Sequence, residues 1–179
     1  MKKSLLILFL ILLCSVGAQQ VGAQQISTST ASLNVDYTLP WTGILPDNPL
    51  YFLKALRDNA YSFLITDPLK KSEYDLLMAD KRLGAAEILV NEGKVNLAIT
   101  TLSKSGNYFY LAIQQATLAK KQGKNADEII SKLVTASLKH QQVIFGMEEK
   151  TRGAARLVLQ VSQQRAGDFQ KMAEELKAK

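Results

Sequence analysis

Beyond residue 49, apolar residues recur at alternating spacings of three and four, which is the period of an amphipathic helix. No stretch alternates with the period of two that indicates a strand. The pattern predicts five helices: Pro49 to about Ile65, Pro68 to about Glu92, Val95 to about Lys121, Ala126 to about Met147, and Thr151 to the end. Because the connections between them are short, we expect an all-α fold, an antiparallel bundle of four to five helices.

Each predicted helix carries one apolar stripe that we expect to face the bundle core. The stripe of the first helix consists of Leu53, Leu56, Ala60 and Phe63. The stripe of the fifth helix consists of Ala154, Val158, Val161, Phe169, Met172 and Leu176. The middle stripes, those of the second, third and fourth helices, include Leu83, Ala116 and Leu133 respectively and contain many alanines, so those helices are expected to approach one another closely.

All four prolines lie within residues 40–68, up to the start of the second predicted helix. Pro40 and Pro46 disfavour helix at the residues that precede them, which predicts a Pro-rich extended strap before the first helix. Because this strap carries large apolar side chains, we expect it to dock on the bundle with Trp41 buried, together with Ile44 or Leu45.

The other two prolines are helix-start signals. Asn48–Pro49 and Asp67–Pro68 each place a capping side chain directly before a proline, which suits the first turn of a helix. Gly93 and the stretch Gln122–Asn125 are typical of helix ends, because glycine adopts the left-handed conformation at little cost.

The N-terminus has the pattern of a secretory signal peptide, predicted over residues 1–23. Lys2 and Lys3 precede an apolar run from Ser4 to Val16, and small residues suited to cleavage follow. The run is shorter than the ~20 residues of a spanning helix, and no basic cluster follows it. We therefore expect cleavage, with retention as an anchor as the alternative.

Residues 24–38 are rich in Ser, Thr and Gln and are predicted to be a flexible tether, which leaves residues 39–179 for the helical domain. Cys14 is the only cysteine and lies in the predicted signal, so we expect a mature chain without disulfide or thiolate chemistry. These features predict an exported protein, either secreted or held in the cell envelope.

The net charge of +6 is mild, and charges of both signs are interleaved. This balance permits contact with an anionic lipid or cell-wall surface. No basic stripe is interleaved with aromatic residues, so we expect no nucleic-acid partner.

Two strings carry a family resemblance: GILPDNPLYFLK from Gly43 to Lys54, and ADKRLGAAEILVNEGK from Ala79 to Lys94, with a TDP helix start between them. Together they resemble the family called domain of unknown function 5667. The resemblance implies a bacterial helical domain behind a signal peptide or membrane anchor. It implies no catalytic or ligand residues.

His140 is the only histidine, so it is the one candidate for histidine chemistry. It lies on the predicted stripe of the fourth helix, where we expect it to bond to a neighbouring carbonyl group. The alternative function is a haem- or metal-binding bundle that uses His140 with Met78 or Met147. A zinc site or a catalytic triad is not available from one histidine without a thiol.

The second helix carries Glu73, Asp80 and Glu87 at a spacing of seven, with Asp75 nearby. Lysines and arginines flank them, which favours a solvent-exposed face of ion pairs. An enzyme that uses such acids on envelope polymers is a further hypothesis.

The densest aromatic cluster is formed by Tyr108, Phe109 and Tyr110. Three adjacent helical residues cannot all face one core, so at least one ring is expected to be exposed. We take Tyr108 and Tyr110 as candidate interaction residues, and Trp41 as well under the alternative that the strap is an exposed recognition loop. The sequence as a whole favours an exported, non-enzymatic envelope interaction or scaffold module without a cofactor. Its expected partner is an envelope protein or an anionic surface, with membrane contact only through an uncleaved N-terminal segment.

Overall fold

The computed structural model describes residues 35–178, an extended segment followed by five helices. The helices are α1 (Tyr51–Leu64), α2 (Pro68–Asn91), α3 (Val95–Lys121), α4 (Asp127–Glu149) and α5 (Gly153–Ala178). No strand occurs within residues 35–178, and the all-α prediction is confirmed. The predicted signal peptide and most of the predicted tether lie outside the described residues.

The local signals for helix ends are confirmed in α2 and α3. Asp67 caps α2, because its carboxylate accepts hydrogen bonds from the backbone N–H groups of Leu69 (2.8 Å) and Lys70 (3.2 Å). Gly93 and Gly123 have φ angles of 76° and 74°, which is the left-handed conformation that ends a helix.

The start of α1 differs from the prediction. The helix begins at Tyr51 rather than Pro49, because residues 46–50 form turns. Asn48 acts within that turn, where its side-chain oxygen accepts a hydrogen bond from the N–H of Leu50 at 2.8 Å. The cap therefore exists, but it orders a turn before the helix.

Helices α2 to α5 form a four-helix bundle of two hairpins. Helix α2 packs mainly on α3, and α4 packs mainly on α5. The hairpins then meet through α3 with α5 and α2 with α4, so that the consecutive helices α3 and α4 lie nearly diagonal to each other. No comparable packing connects α1 to the bundle.

The bundle core is apolar and rich in alanine, as the middle stripes predicted. Phe109 lies at its centre, fully buried, with its ring stacked on that of Phe169 at a centroid separation of 5.1 Å. Around them, the predicted positions on α2, α3 and α4 are buried, Leu83, Ala116 and Leu133 among them. Small residues allow the close approach, and the large rings fill the remaining volume.

The stripe predicted for α5 is wrong in its first half. Leu159 and Ala166 are buried, whereas Ala154, Val158 and Val161 are exposed. Several apolar residues follow one another near the start of this helix, so spacing alone allows more than one stripe. The buried one continues as Phe169 and Ala173.

The extended segment before α1 docks on the bundle earlier than predicted. Tyr37 and Leu39 are partly buried, and each packs against one of the two clusters of the core. Tyr37 was assigned to the flexible tether because polar residues precede it. Its contact with the bundle shows that the docked strap begins before Leu39.

Candidate functional site

Helix α1 contacts the bundle through its polar side. The Tyr74 hydroxyl donates a hydrogen bond to the carbonyl oxygen of Asp58 at 2.8 Å, and Lys71 Nζ donates to the carbonyl oxygen of Ser62 at 2.7 Å. The ring of Tyr61 also lies beside that of Tyr74, with centroids 5.3 Å apart. Asp58 is the one buried residue of α1. The helix is therefore docked by polar contacts rather than by its leucines.

The opposite side of α1 points away from the bundle, and we name it the α1 apolar face. Its members are Phe52, Leu53, Leu56, Phe63 and Leu64, all of which are exposed. At 100° per residue, they lie within an arc of about 120°. The exposed fraction reaches 66% for Leu56 and 86% for Phe63. The predicted burial of the first-helix stripe is wrong, because the bundle binds the other side of this helix.

The strap docks through Thr42 instead of Trp41. Gly84 of α2 has no side chain, and a Cβ atom there would lie 2.9 Å from the Thr42 methyl carbon, so Thr42 fills a notch in the helix surface. Neighbouring side chains of an extended chain point in opposite directions. Trp41 is consequently 86% exposed, and its predicted burial is wrong. Lys54 Nζ holds the strap by donating to the carbonyl oxygens of Thr42 (2.6 Å) and Ile44 (3.1 Å).

A cationic groove lies between the strap and α1, with a volume of about 470 Å³. We define it by three cations, Lys54, Arg57 and Lys81, and two apolar residues, Trp41 and Leu53. Among the residues that the structure describes, no carboxylate lines it. Leu53 also belongs to the α1 apolar face, so the two features are continuous.

The electrostatic environment of the cationic groove is only partly balanced. The buried carboxylate of Asp58 pairs with Arg57 at 2.7 Å. Burial lowers the pKa of Lys54; Asp58 opposes this shift, whereas the neighbouring cations Arg82, Lys81 and Arg57 add to it. An anion bound in the groove would meet cations that the protein itself does not fully neutralise.

A second groove of about 670 Å³ runs between α1, α2 and α4. Its charged lining has both signs, with Arg57, Lys70 and Lys132 offset by Glu73 and Glu128. This groove therefore lacks the single sign of charge that distinguishes the first.

A buried chain of hydrogen bonds connects the strap to the bundle. The Tyr37 hydroxyl donates to one oxygen of Asp80 at 2.5 Å, and the other oxygen lies 2.8 Å from His140 Nε2. An ionised carboxylate only accepts, so this contact is a hydrogen bond when Nε2 carries a proton. Burial, the charge of Asp80 and the hydrogen bond all raise the pKa of Tyr37.

This chain of hydrogen bonds shows that two interpretations of the sequence are wrong. Asp80 is buried rather than part of a solvent-exposed face of ion pairs, and Asp75 is buried as well. His140 bonds to a carboxylate instead of a carbonyl group, and its ring packs edge-to-face with that of Phe109, with the two ring centroids 4.8 Å apart. The chain joins three elements and has the character of a structural polar network.

The proposed haem or metal ligands are not brought together. His140 lines a cavity of about 180 Å³ between α3, α4 and α5, whereas Met78 lines the second groove and Met147 lies in the core. Small-molecule sites usually measure ~300–1,000 Å³. Because His140 Nε2 is engaged by Asp80, these residues do not fit a haem. Residues 35–178 also hold no cluster of three or more His, Cys, Asp or Glu side chains placed to bind a metal ion.

Asp75 of α2 is a buried acid with an unsatisfied oxygen. Within the described part of the chain, its Oδ2 atom has no hydrogen-bond partner. Burial raises the pKa of Asp75 to about 6, and the positive charge of Lys71 opposes the shift. Asp75 lines none of the three cavities described above together with a second acid, so we assign it no role in binding.

The aromatic cluster of α3 is divided as expected. Phe109 is buried and Tyr110 is 40% exposed. Tyr108 is half-buried, and the guanidinium group of Arg82 lies over its ring at 4.1 Å. Tyr108 therefore forms an intramolecular cation–π contact. Whether Tyr110 binds a partner stays a prediction.

Comparisons with other proteins define the chain by its family alone. No helix within residues 35–178 is long and apolar enough to cross a bilayer. No curated protein and no solved structure matches the chain. A family model, however, matches residues 43–154, which include the GILPDNPLYFLK string and continue through α4. The chain belongs to the family described as Domain of unknown function (DUF5667).

Proposed function

We propose that this protein is an exported, non-enzymatic interaction module that binds another component of the cell envelope through the α1 apolar face. The observation that carries the proposal is the orientation of α1, whose polar side is docked while its phenylalanines and leucines face outward. Five large apolar side chains exposed side by side form a contiguous patch of the kind that marks an interaction site.

The reactive groups support a binding role over catalysis. The one histidine is buried and bonded to Asp80, and the hydroxyl of Ser105, which lines the same cavity, donates to the carbonyl oxygen of Ala79 at 2.8 Å. Neither group is free to serve as a nucleophile or base at a substrate cleft. Turnover on a panel of hydrolase substrates, abolished by a point mutation in the protein, would contradict the proposal.

The envelope location is supported by the sequence. The apolar run from Ser4 to Val16 brings the chain to a membrane whether it is cleaved as a signal or retained as an anchor. The interaction is thus expected on the extracytoplasmic side.

Photo-crosslinking in the producing cells tests the binding surface. Benzoylphenylalanine is introduced at Leu56 and, as a matched control, at Leu157 of α5, which is 63% exposed. We expect adducts to form from position 56 and not from position 157. Equal adduct yields from both positions, or none from position 56, would show that the α1 apolar face is not the binding surface.

A further inference from the structure

The α1 apolar face and the cationic groove form one continuous amphipathic surface. Leu53 belongs to both, and Trp41 lies at the rim of the groove with most of its ring in solvent. Resting on the proposed function, we infer that the partner is an anionic phospholipid bilayer. The α1 apolar face would enter the acyl boundary, and the cationic groove would take the lipid phosphates.

The dimensions of α1 suit a helix that lies in the plane of a bilayer. Its 14 residues give a length of about 21 Å. Interfacial helices bury their apolar face ~5–10 Å deep and carry Phe, Leu and Trp on that side. Phe52 and Phe63 stand almost a full helix length apart on the same face, so both ends of α1 can be held at one depth. The polar side already bonds to α2, so insertion requires no unfolding.

The charges select an anionic surface. Lys54, Arg57 and Lys81 line the cationic groove, and the nearby Asp58 is buried against Arg57. Each basic residue close to an anionic bilayer strengthens binding about fivefold. A protein partner would have to supply acidic and apolar groups in the same arrangement, whereas a lipid surface supplies both everywhere.

A second copy of this chain fits the surface less well. Self-association through α1 would cover the apolar side chains, but it would offer no anion to the cationic groove. The single acid of α1, Asp58, is buried. Two such surfaces facing each other would instead bring cations together, which opposes association.

The decisive experiment uses the exported protein as isolated from the producing cells. Trp41 is the only tryptophan, so its fluorescence reports on the rim of the groove without any substitution. The probe is a vesicle of equal parts phosphatidylglycerol and phosphatidylcholine with brominated acyl chains, which quench a tryptophan that enters the bilayer. Vesicles of brominated phosphatidylcholine alone are the lipid control. We expect a blue shift and quenching with the anionic vesicles, and a response at least ~10-fold weaker without phosphatidylglycerol.

Matched variants separate the α1 surface from the rest of the protein. The double variant Leu56→Ser/Phe63→Ser should weaken the quenching titration at least ~10-fold, because two large side chains no longer leave water. The control Leu157→Ser/Val161→Ser removes apolar groups of similar exposure from α5 and should change it less than about twofold. Lys81→Gln should weaken it about fivefold, whereas Lys171→Gln, a lysine on α5, should not. All variants should have the same melting temperature as the parent protein.

The outcomes distinguish this inference from the proposed function. Absence of quenching by anionic vesicles, or equal quenching of the Leu56→Ser/Phe63→Ser variant, overturns the lipid inference. A concentration-dependent dimer that shields Trp41, or adducts from position 56 that contain only protein, overturns it as well while the proposed function survives. If position 56 forms no adduct and the vesicles have no effect, both fall. Quenching that requires both phosphatidylglycerol and the α1 apolar face supports both.

Discussion

The sequence has similar proline signals just before α1 and at the start of α2, and both helices have similar apolar spacing, yet α2 buries its apolar residues and α1 exposes them. Leu83 of α2 is fully buried, whereas Leu56 of α1 is two-thirds exposed. Helix α2 has α3 and α4 beside it and buries residues on most of its circumference. Within residues 35–178, the hydrogen bonds of α1 to its neighbours go to the strap and to polar groups of α2. The comparison teaches that periodicity identifies an apolar face, but the neighbours of the helix decide whether water or protein covers it.

The largest effect that sharpens this comparison should come from Asp80, which connects the bundle interior to the strap. Asp80→Ala leaves the Tyr37 hydroxyl and the His140 ring without their shared acceptor. Each buried polar group left without a partner costs ~1–3 kcal/mol, so the loss from the two groups should be ~2–6 kcal/mol. Urea unfolding monitored by circular dichroism measures this loss, and Asp168→Ala, at an exposed site on α5, is the control. A loss of stability below ~1 kcal/mol would show that the chain of hydrogen bonds through Asp80 does not hold the strap.

The next prediction concerns Asp75, a buried residue of α2, whose replacement should stabilise the protein rather than destabilise it. Because the pKa of Asp75 is raised from 3.8 to about 6 in the folded state, the folded protein retains this proton more strongly than the unfolded chain. The stability contributed by this proton is full only below the unfolded pKa of 3.8 and is lost as the pH rises through about 6. At pH 7 the folded protein must hold Asp75 as a buried negative charge, which destabilises it. Asp75→Asn removes this charge and should stabilise the protein by ~1–3 kcal/mol at pH 7.

Unfolding at two pH values checks the Asp75 prediction. The gain from Asp75→Asn should be present at pH 7 and nearly absent at about pH 3, which lies below both the unfolded pKa of 3.8 and the folded pKa of about 6. A gain that does not change with pH would assign the effect to packing.

A smaller effect tests how the strap docks. Gly84→Ala places a methyl group against Thr42 and should destabilise the protein by ~1–3 kcal/mol through overpacking. Gly146, inside α4, has open space around it, so Gly146→Ala should stabilise by up to ~1 kcal/mol through helix propensity. Thermal melting compares the two variants. If both raise the melting temperature, Thr42 does not occupy the notch at Gly84.

The bundle was largely predictable because its signals are local. Asp67–Pro68 and Gly93 fix helix ends through their own backbone geometry, and wide apolar stripes fix the faces that pack. The match of the family model also confirms the resemblance drawn from the GILPDNPLYFLK string. These features depend on residues near one another in the chain.

The candidate site was harder to predict because it depends on how elements meet. The cationic groove needs Lys81 of α2 beside Lys54 of α1, and nothing in the spacing of the chain shows that contact. The sequence does contain one signal for the buried chain of hydrogen bonds. Asp80 and His140 each lie among the apolar stripe residues of their helices, where a buried polar side chain needs a partner. For α1, the spacing shows which side of the helix is apolar, but not which side the bundle binds.

The most direct test of the account compares two leucine truncations in the two helices. Leu83→Ala should lower the free energy of unfolding by ~2–5 kcal/mol, because it leaves a cavity in the core. Leu56→Ala makes the same chemical change on the α1 apolar face and should alter it by no more than ~0.5 kcal/mol. Urea unfolding of both variants beside the parent gives the answer. A loss above ~2 kcal/mol for Leu56→Ala would mean that α1 packs its leucines inward, and the outward face on which the proposed function depends would not exist.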